Sequence, residues 1–259
     1  DEELRMTVVT QSIGIKLVPS PEIILLAKSA GYDSVFIDLE HSTLSLSTAS
    51  SLCISSLSSG ITPFVRVPHQ AGNGFVQRVL DNGAMGVIFP HIQNVEEAQA
   101  AVQISKYPPL GKRSLTANLP HHQCQTIPSK EVIEDVNTAG SIVFLMIETA
   151  QCLQDIDAIA AQAGVDVLLV GANDLGIEIG ALGDWDGPVF RGALEKVAAA
   201  CNKNGKIMGI AGLYHRRDIM QWAIHTLGVR YVLGGLDLGM IGTAMGTNCE
   251  NLRILDVTK

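Results

Sequence analysis

Short apolar runs alternate with longer stretches of helical spacing from one end of this chain to the other, a pattern that predicts an α/β fold built on a parallel sheet. Eight runs read as strands, near residues 12–17, 34–37, 62–67, 85–89, 142–147, 167–170, 206–210 and 231–233. Several are apolar at nearly every position, the mark of strands buried on both faces. Helices are expected at 21–30, 46–59, 74–82, 95–106, 153–163, 188–204 and 216–227. Ser20-Pro21 reads as a helix cap and first turn, and Gly31, Gly60, Gly83, Gly164, Gly205 and Gly228 stand at helix exits.

Four runs end on residues of catalytic type. Val35-Phe36-Ile37 leads to Asp38, Phe64-Val65 to Arg66, the run ending at Ile147 to Glu148, and the run ending at Val170 to Gly171-Ala172-Asn173-Asp174. A (β/α)8 TIM barrel builds its active site at the C-terminal ends of its strands, so these side chains are expected around one mouth. The 259 residues suit one such barrel, and no linker or composition shift divides the chain, so a single domain over 1–259 is expected. The long connection 107–130, rich in Pro and carrying His121-His122, is expected at the catalytic end as a lid, a binding loop or an oligomer contact.

Composition narrows the partners. A formal charge of −8 without a Lys/Arg cluster argues against nucleic acid. No apolar stretch approaches the roughly 20 residues of a membrane helix, so no membrane partner is expected. The five cysteines are widely spaced and form no CxxC pair, which favours reduced thiols and a cytoplasmic location. The chain does not begin with Met, and a targeting segment upstream of Asp1 stays open.

Glu148 and Asp174, from adjacent strand ends, make a hard oxygen site suited to Mg²⁺ or Mn²⁺; the plainer alternative is a capped turn and a surface ion pair. Arg66 at the tip of an apolar strand needs an anionic partner, either a substrate carboxylate or a permanent pair with a barrel glutamate. Asp38-Leu39-Glu40-His41 sets a histidine three residues after a carboxylate that can orient its ring, the alternative being a solvated loop histidine. His69, His91, His121, His122, His215 and His225 lack such neighbours. Lys16 is the one lysine well placed within a strand, which leaves imine chemistry a weak alternative.

Phe36-Ile37-Asp38-Leu39-Glu40-His41, Val65-Arg66-Val67-Pro68, Leu80-Asp81-Asn82-Gly83-Ala84, Tyr107-Pro108-Pro109-Leu110-Gly111-Lys112-Arg113, Ile147-Glu148-Thr149 and Gly171-Ala172-Asn173-Asp174-Leu175 together resemble the HpcH/HpaI aldolase family. The resemblance implies a class II pyruvate aldolase on a modified barrel, assembled as a homo-oligomer, a hexamer of three dimers that exchange their last helix. It implies Glu148 and Asp174 as ligands of Mg²⁺, with Mn²⁺ or Co²⁺ as alternatives. Arg66 would hold the 2-oxo acid, beside Ala172, Asn173 and Asp174; Asp38 and His41 would form the acid–base dyad, and Asp81 would be an acid near the metal-bound water. The implied reaction cleaves a 4-hydroxy-2-oxo acid to pyruvate and an aldehyde through a metal-bound enolate.

Arg113-Ser114 also resembles macrophomate synthase, a fungal relative, which keeps oxaloacetate decarboxylation as a second reading; binding of a 2-oxo acid without turnover is a third. Met146 and Ala172 depart from the family's usual Gln and Pro and alter the surroundings of the metal site. The pocket for the aldehyde half is expected to draw on residues 115–125 and, by family analogy, on a neighbouring subunit.

Overall fold

A computed structural model of the chain describes residues 8–255. Eight parallel strands close into a barrel in chain order: β1 (Thr10–Ile15), β2 (Ser34–Asp38), β3 (Thr62–Arg66), β4 (Gly86–Phe89), β5 (Ile142–Ile147), β6 (Val167–Gly171), β7 (Ile207–Ala211) and β8 (Tyr231–Leu236), with β8 pairing back onto β1. Each expected strand is present, shifted by a few residues at its ends. The helices are α1 (Glu22–Ser29), α2 (Leu46–Ser59), α3 (Asn73–Asp81), α4 (Val95–Ser105), α5 (Ser129–Asp135), α6 (Ala150–Gln154), α7 (Ile156–Ala160), α8 (Ala172–Glu178), α9 (Pro188–Asn204), α10 (Arg217–Thr226) and α11 (Asp237–Ile254).

The glycines expected at helix exits all adopt the left-handed backbone that a side chain would strain, from Gly205 at φ 63° to Gly83 at φ 104°. The Ser20 cap does not form. Its hydroxyl bonds the Glu22 carboxylate, and the first helical N–H groups go to the carbonyls of Ser20 and Pro21. The helix expected over 153–163 is two short ones, because Thr149 caps the earlier α6 by accepting from the Cys152 N–H and the chain turns at Asp155.

Strand side chains alternate between two directions, and the burial follows this period of two. Val35, Ile37, Val65, Leu145, Ile147 and Val170 face outward into the layer under the helices. Phe36, Phe64, Phe144, Met146, Leu169 and Leu233 face inward and fill the barrel. Phe64, Phe144 and Tyr231 form an aromatic plug, with centroids 4.7, 5.1 and 5.9 Å apart and tilted or edge-on rings, the geometry their quadrupoles prefer. The barrel is therefore a filled core with a floor on which the mouth rests.

The connection from Tyr107 onward corrects an expectation. It leaves the C-terminus of α4, which runs back from the β4 exit along β5, so it lies at the N-terminal end of the strands, away from the mouth. His121 Nε2 lies 3.0 Å from the Ala84 carbonyl just before β4, and the Ile142 N–H donates to Met85. The segment carries a 3₁₀ turn over Pro120–His122 and α5, packed on a small core of Tyr107, Leu119, Val132 and Val136. It forms no lid over this chain's mouth.

At the mouth, the β1 exit is clamped to the start of α11. The buried Asp237 carboxylate accepts the N–H groups of Lys16 at 3.1 Å, Leu17 at 3.0 Å and Val18 at 2.8 Å. Asp237→Ala strips these three backbone donors, and the Leu238 N–H, of their acceptor, and urea unfolding should read a loss of about 2–3 kcal/mol with the slope unchanged.

Candidate active site

The inward parity of the strands decides which charges reach the mouth. Asp38 stands two residues beyond Phe36, Arg66 two beyond Phe64 and Glu148 two beyond Met146, so each continues an inward row into the top layer. Gly171 and Ala172 follow β6 over the same rim, with Asn173 and Asp174 on the first turn of α8. Together with His41, Lys16, Ala211, Gly212, Tyr214, Leu233 and Leu236 they line a cleft of about 200 Å³.

Asp38 and Arg66 are register partners on neighbouring strands. The guanidinium donates from Nε to Asp38 Oδ1 at 3.0 Å and from Nη2 to Oδ2 at 2.7 Å, a two-point fork. Burial pushes the Asp38 pKa upward, but the Arg66 hydrogen bonds and charge, with the N–H groups of His41 and Glu40, outweigh it and hold the carboxyl below its ordinary value. Burial likewise disfavours the Arg66 cation, and Asp38, Glu40 and Glu148 more than restore it. Glu40 Oε2 lies 3.2 Å from Arg66 Nη1 but outside hydrogen-bond geometry, so this contact is a charge pair only. Of the two partners foreseen for Arg66, the permanent one is present, and it is Asp38 with Glu40.

Glu148 is buried and faces Asp174. Burial raises its pKa first and the neighbouring Asp174 charge adds to this; the His91 N–H at 2.9 Å, the His91 ring and Arg66 oppose it. Gly171 makes the room. A Cβ there would meet Glu148 Oε1 at 2.2 Å and Cδ at 2.8 Å, so any side chain would drive the carboxylate from its place.

Among the described residues, no group of three or more His, Cys, Asp and Glu side chains is arranged to hold a metal ion. Glu148 and Asp174 fit a different arrangement. Two close carboxylates, one made reluctant to ionise by the other and by burial, form a hard oxygen pair short of positive charge, the donor set that a divalent cation completed by water and substrate oxygens requires.

Three sequence-based assignments change. The Asp38 carboxylate meets the backbone N–H of His41 at 3.2 Å and not its ring, because Arg66 occupies both oxygens; the imidazole instead approaches Glu40, Nε2 to Oε2 at 3.8 Å. Asp81 closes α3 at the opposite end of the barrel and pairs with the buried Arg113 at 2.7 Å, so this chain does not bring it to its own cleft. Residues 115–125 stay out of the cleft for the same reason of helix direction.

Two acidic-site neighbours were missed. His91, just past β4, holds a left-handed backbone at φ 54° and sets its ring 3.4 Å from Glu148 and 3.6 Å from Glu40. Strained backbone of this kind gathers at functional sites, yet only the strand-end position of His91 could have flagged it. Glu40, within the Asp38 motif, stands beside both the Arg66 guanidinium and the His41 ring. Tyr214 also lines the cleft, its phenol pushed up to about 12 by burial.

The chain matches the family model described as HpcH/HpaI aldolase/citrate lyase over residues 18–234. It is 48% identical over 231 residues to the 4-hydroxy-4-methyl-2-oxoglutarate aldolase tasA of Hapsidospora irregularis, covering 89% of this chain and 86% of that protein. It is also 48% identical over 234 residues to the 4-hydroxy-4-methyl-2-oxoglutarate aldolase cghB of Chaetomium globosum, covering 90% and 87%. Among solved structures, an HpcH/HpaI aldolase from Desulfitobacterium hafniense DCB-2 superposes with a TM-score of 0.89 at 26% identity, over 100% of this chain and 98% of that one.

A raised carboxyl pKa means the folded protein holds the Glu148 proton more tightly than the unfolded chain. Ionising Glu148 therefore costs stability as pH rises above the ordinary glutamate range. In cation-free protein at neutral pH, Glu148→Gln should raise Tm. Magnesium should then stabilise the parent and leave the variant unmoved, as differential scanning calorimetry would read.

Proposed function

The chain belongs to the HpcH/HpaI aldolase/citrate lyase family and is a carbon–carbon lyase of the aldolase kind, and from that premise we propose that it cleaves 4-hydroxy-4-methyl-2-oxoglutarate between C3 and C4 into two molecules of pyruvate. The observation that carries the reading is the pair of buried Glu148 and half-buried Asp174, set with Arg66 and His41 around one cleft. The substrate comes from the relatives' names. Because its C4 bears a methyl group and a carboxylate, the second product is the 2-oxo acid pyruvate, a ketone in place of the aldehyde of the general reaction.

A divalent metal fits the family, and Glu148 and Asp174 would hold it; Mg²⁺ suits their hard oxygens, with Mn²⁺ and Co²⁺ as alternatives. When bound, the cation supplies a Lewis acid that stabilises negative charge on the 2-oxo oxygen. Arg66 offers its Nη1 edge to the 2-oxo acid. That nitrogen meets only the Glu40 charge at 3.2 Å and the Met146 sulfur at 4.0 Å, while Nε and Nη2 stay on Asp38. Asp38 is thereby a positioning residue for Arg66.

His41 takes the proton of the 4-hydroxyl as the C3–C4 electron pair moves to C3 and C2, forming an enolate. Protonation at C3 then gives the first pyruvate, and the C4 fragment leaves as the second. Glu40 Oε2 stands 3.8 Å from the Nε2 atom of that imidazole.

Assembly enters through α11. Only its first residue, Asp237, is buried, while Leu238, Met245, Leu252 and Ile254 are exposed along it. An 18-residue helix with that much free apolar surface fits exchange between subunits of a hexamer built from dimers. Light scattering should give a mass several times the 27.6 kDa of one chain, and deletion from Leu238 onward should return monomers.

Pyruvate release from 4-hydroxy-4-methyl-2-oxoglutarate should fall at least 100-fold in EDTA and return with Mg²⁺, and His41→Ala should lower kcat by roughly 10²–10⁴-fold. Undiminished turnover in EDTA would sink the reading. Faster turnover of oxaloacetate in the same assay would move the function to decarboxylation.

A further inference from the structure

We infer that Lys16 binds the second carboxylate of the substrate, the one carried on C4, and so selects 2-oxo dicarboxylates over 2-oxo monocarboxylates. The inference rests on the reaction proposed above and adds a specificity residue to it.

Parity and charge carry the argument. Along β1, Ile13 and Ile15 pack outward under the helices, while Ser12 bonds the Ser34 carbonyl and Gly14 faces Leu233 and Leu236 inside the barrel. Lys16 is the next inward position, and it lines the cleft together with Asp38, Arg66, Glu148 and Asp174. Its backbone is fixed by the Asp237 clamp, which holds its N–H and the two that follow.

Its ammonium group has no counter-ion. Among the described residues Lys16 enters no ion pair and its side chain makes no hydrogen bond, although four acids stand around the mouth. Asp38 and Glu40 are engaged with Arg66 and Glu148 with the His91 N–H, while Asp174 repels Glu148 and, among the described residues, forms no ion pair with Lys16. A cation turned into a cleft without a protein partner calls for an anionic ligand.

The substrate supplies that anion. Its 2-oxo acid end would be met by Arg66 and by a divalent cation that Glu148 and Asp174 would hold. The C4 carboxylate would otherwise sit unpaired in a cleft already rich in negative charge, where it would oppose binding. Lys16 offsets it, and the apolar Leu233 and Leu236 beside Lys16 leave a place for the C4 methyl.

The test uses two ligands that lack the 4-hydroxyl and so cannot be cleaved. 2-Oxoglutarate has the carbon skeleton and the C5 carboxylate of the substrate, and 2-oxopentanoate has a methyl group where that carboxylate stands. Isothermal calorimetry with Mg²⁺ should show the parent protein preferring 2-oxoglutarate by about 20-fold or more, the size of one charge-assisted hydrogen bond. Lys16→Met should lose that preference, and Lys16→Arg should keep part of it.

A Lys16→Met protein that retains the preference, or a parent protein that has none, overturns the proposal. So does a borohydride-trapped pyruvate adduct on Lys16, which would make the lysine an imine former. Turnover without a preference removes the role of Lys16 alone, while a preference without turnover strikes the proposed reaction and leaves Lys16 as an anion site.

Discussion

Closing a parallel sheet into a barrel leaves each strand residue two directions, outward under the helices or inward to the axis, and this constraint organises the rest of the molecule. Phe64, Phe144 and Tyr231 occupy the axis and exclude water from it, so the inward positions just above them are the first that can carry charge. Asp38, Arg66 and Glu148 occupy such positions. Shifting any of them by one residue would bury the charge among the aliphatic side chains beneath the helices, where no partner waits.

Charge is balanced unevenly around the rim. On the β2–β3 side, Arg66 is met by two carboxylates, hydrogen-bonded to Asp38 and in charge contact with Glu40. On the β5–β6 side, Glu148 and Asp174 face each other with only the His91 N–H, its ring and the more distant Arg66 to relieve them. The contrast assigns different work to similar residues. The first cluster is a rigid support that keeps one guanidinium edge in place, and the second gains most from an added cation. Gly171 belongs to the second cluster although it bears no functional group, because its missing side chain is the space the Glu148 carboxylate fills.

Strand positions were legible in the sequence because a two-sided buried strand leaves an unbroken apolar run, and the charge ending each run marks the mouth. That signal found Asp38, Arg66, Glu148 and Asp174. It could not reveal which acid faces which base. Asp38 sits nearer to His41 in sequence, yet strand pairing gives it to Arg66, 28 residues away. Asp81 and the segment beyond Tyr107 were misplaced for a related reason: a helix returns the chain to the opposite end of the barrel, and motif spacing does not record direction. His91 escaped because its importance lies in a left-handed backbone, which its residue type does not announce.

The Asp237 clamp also governs when the cleft comes into being. It ties the last strand's exit to Lys16, 221 residues earlier, so the β1 wall of the cleft is complete only once β8 has closed onto β1. A barrel still lacking β8 therefore leaves its mouth acids open to bulk water. The perturbed chemistry of the finished site arises late, with closure, and a chain stopped before β8 carries the charges without the electrostatics.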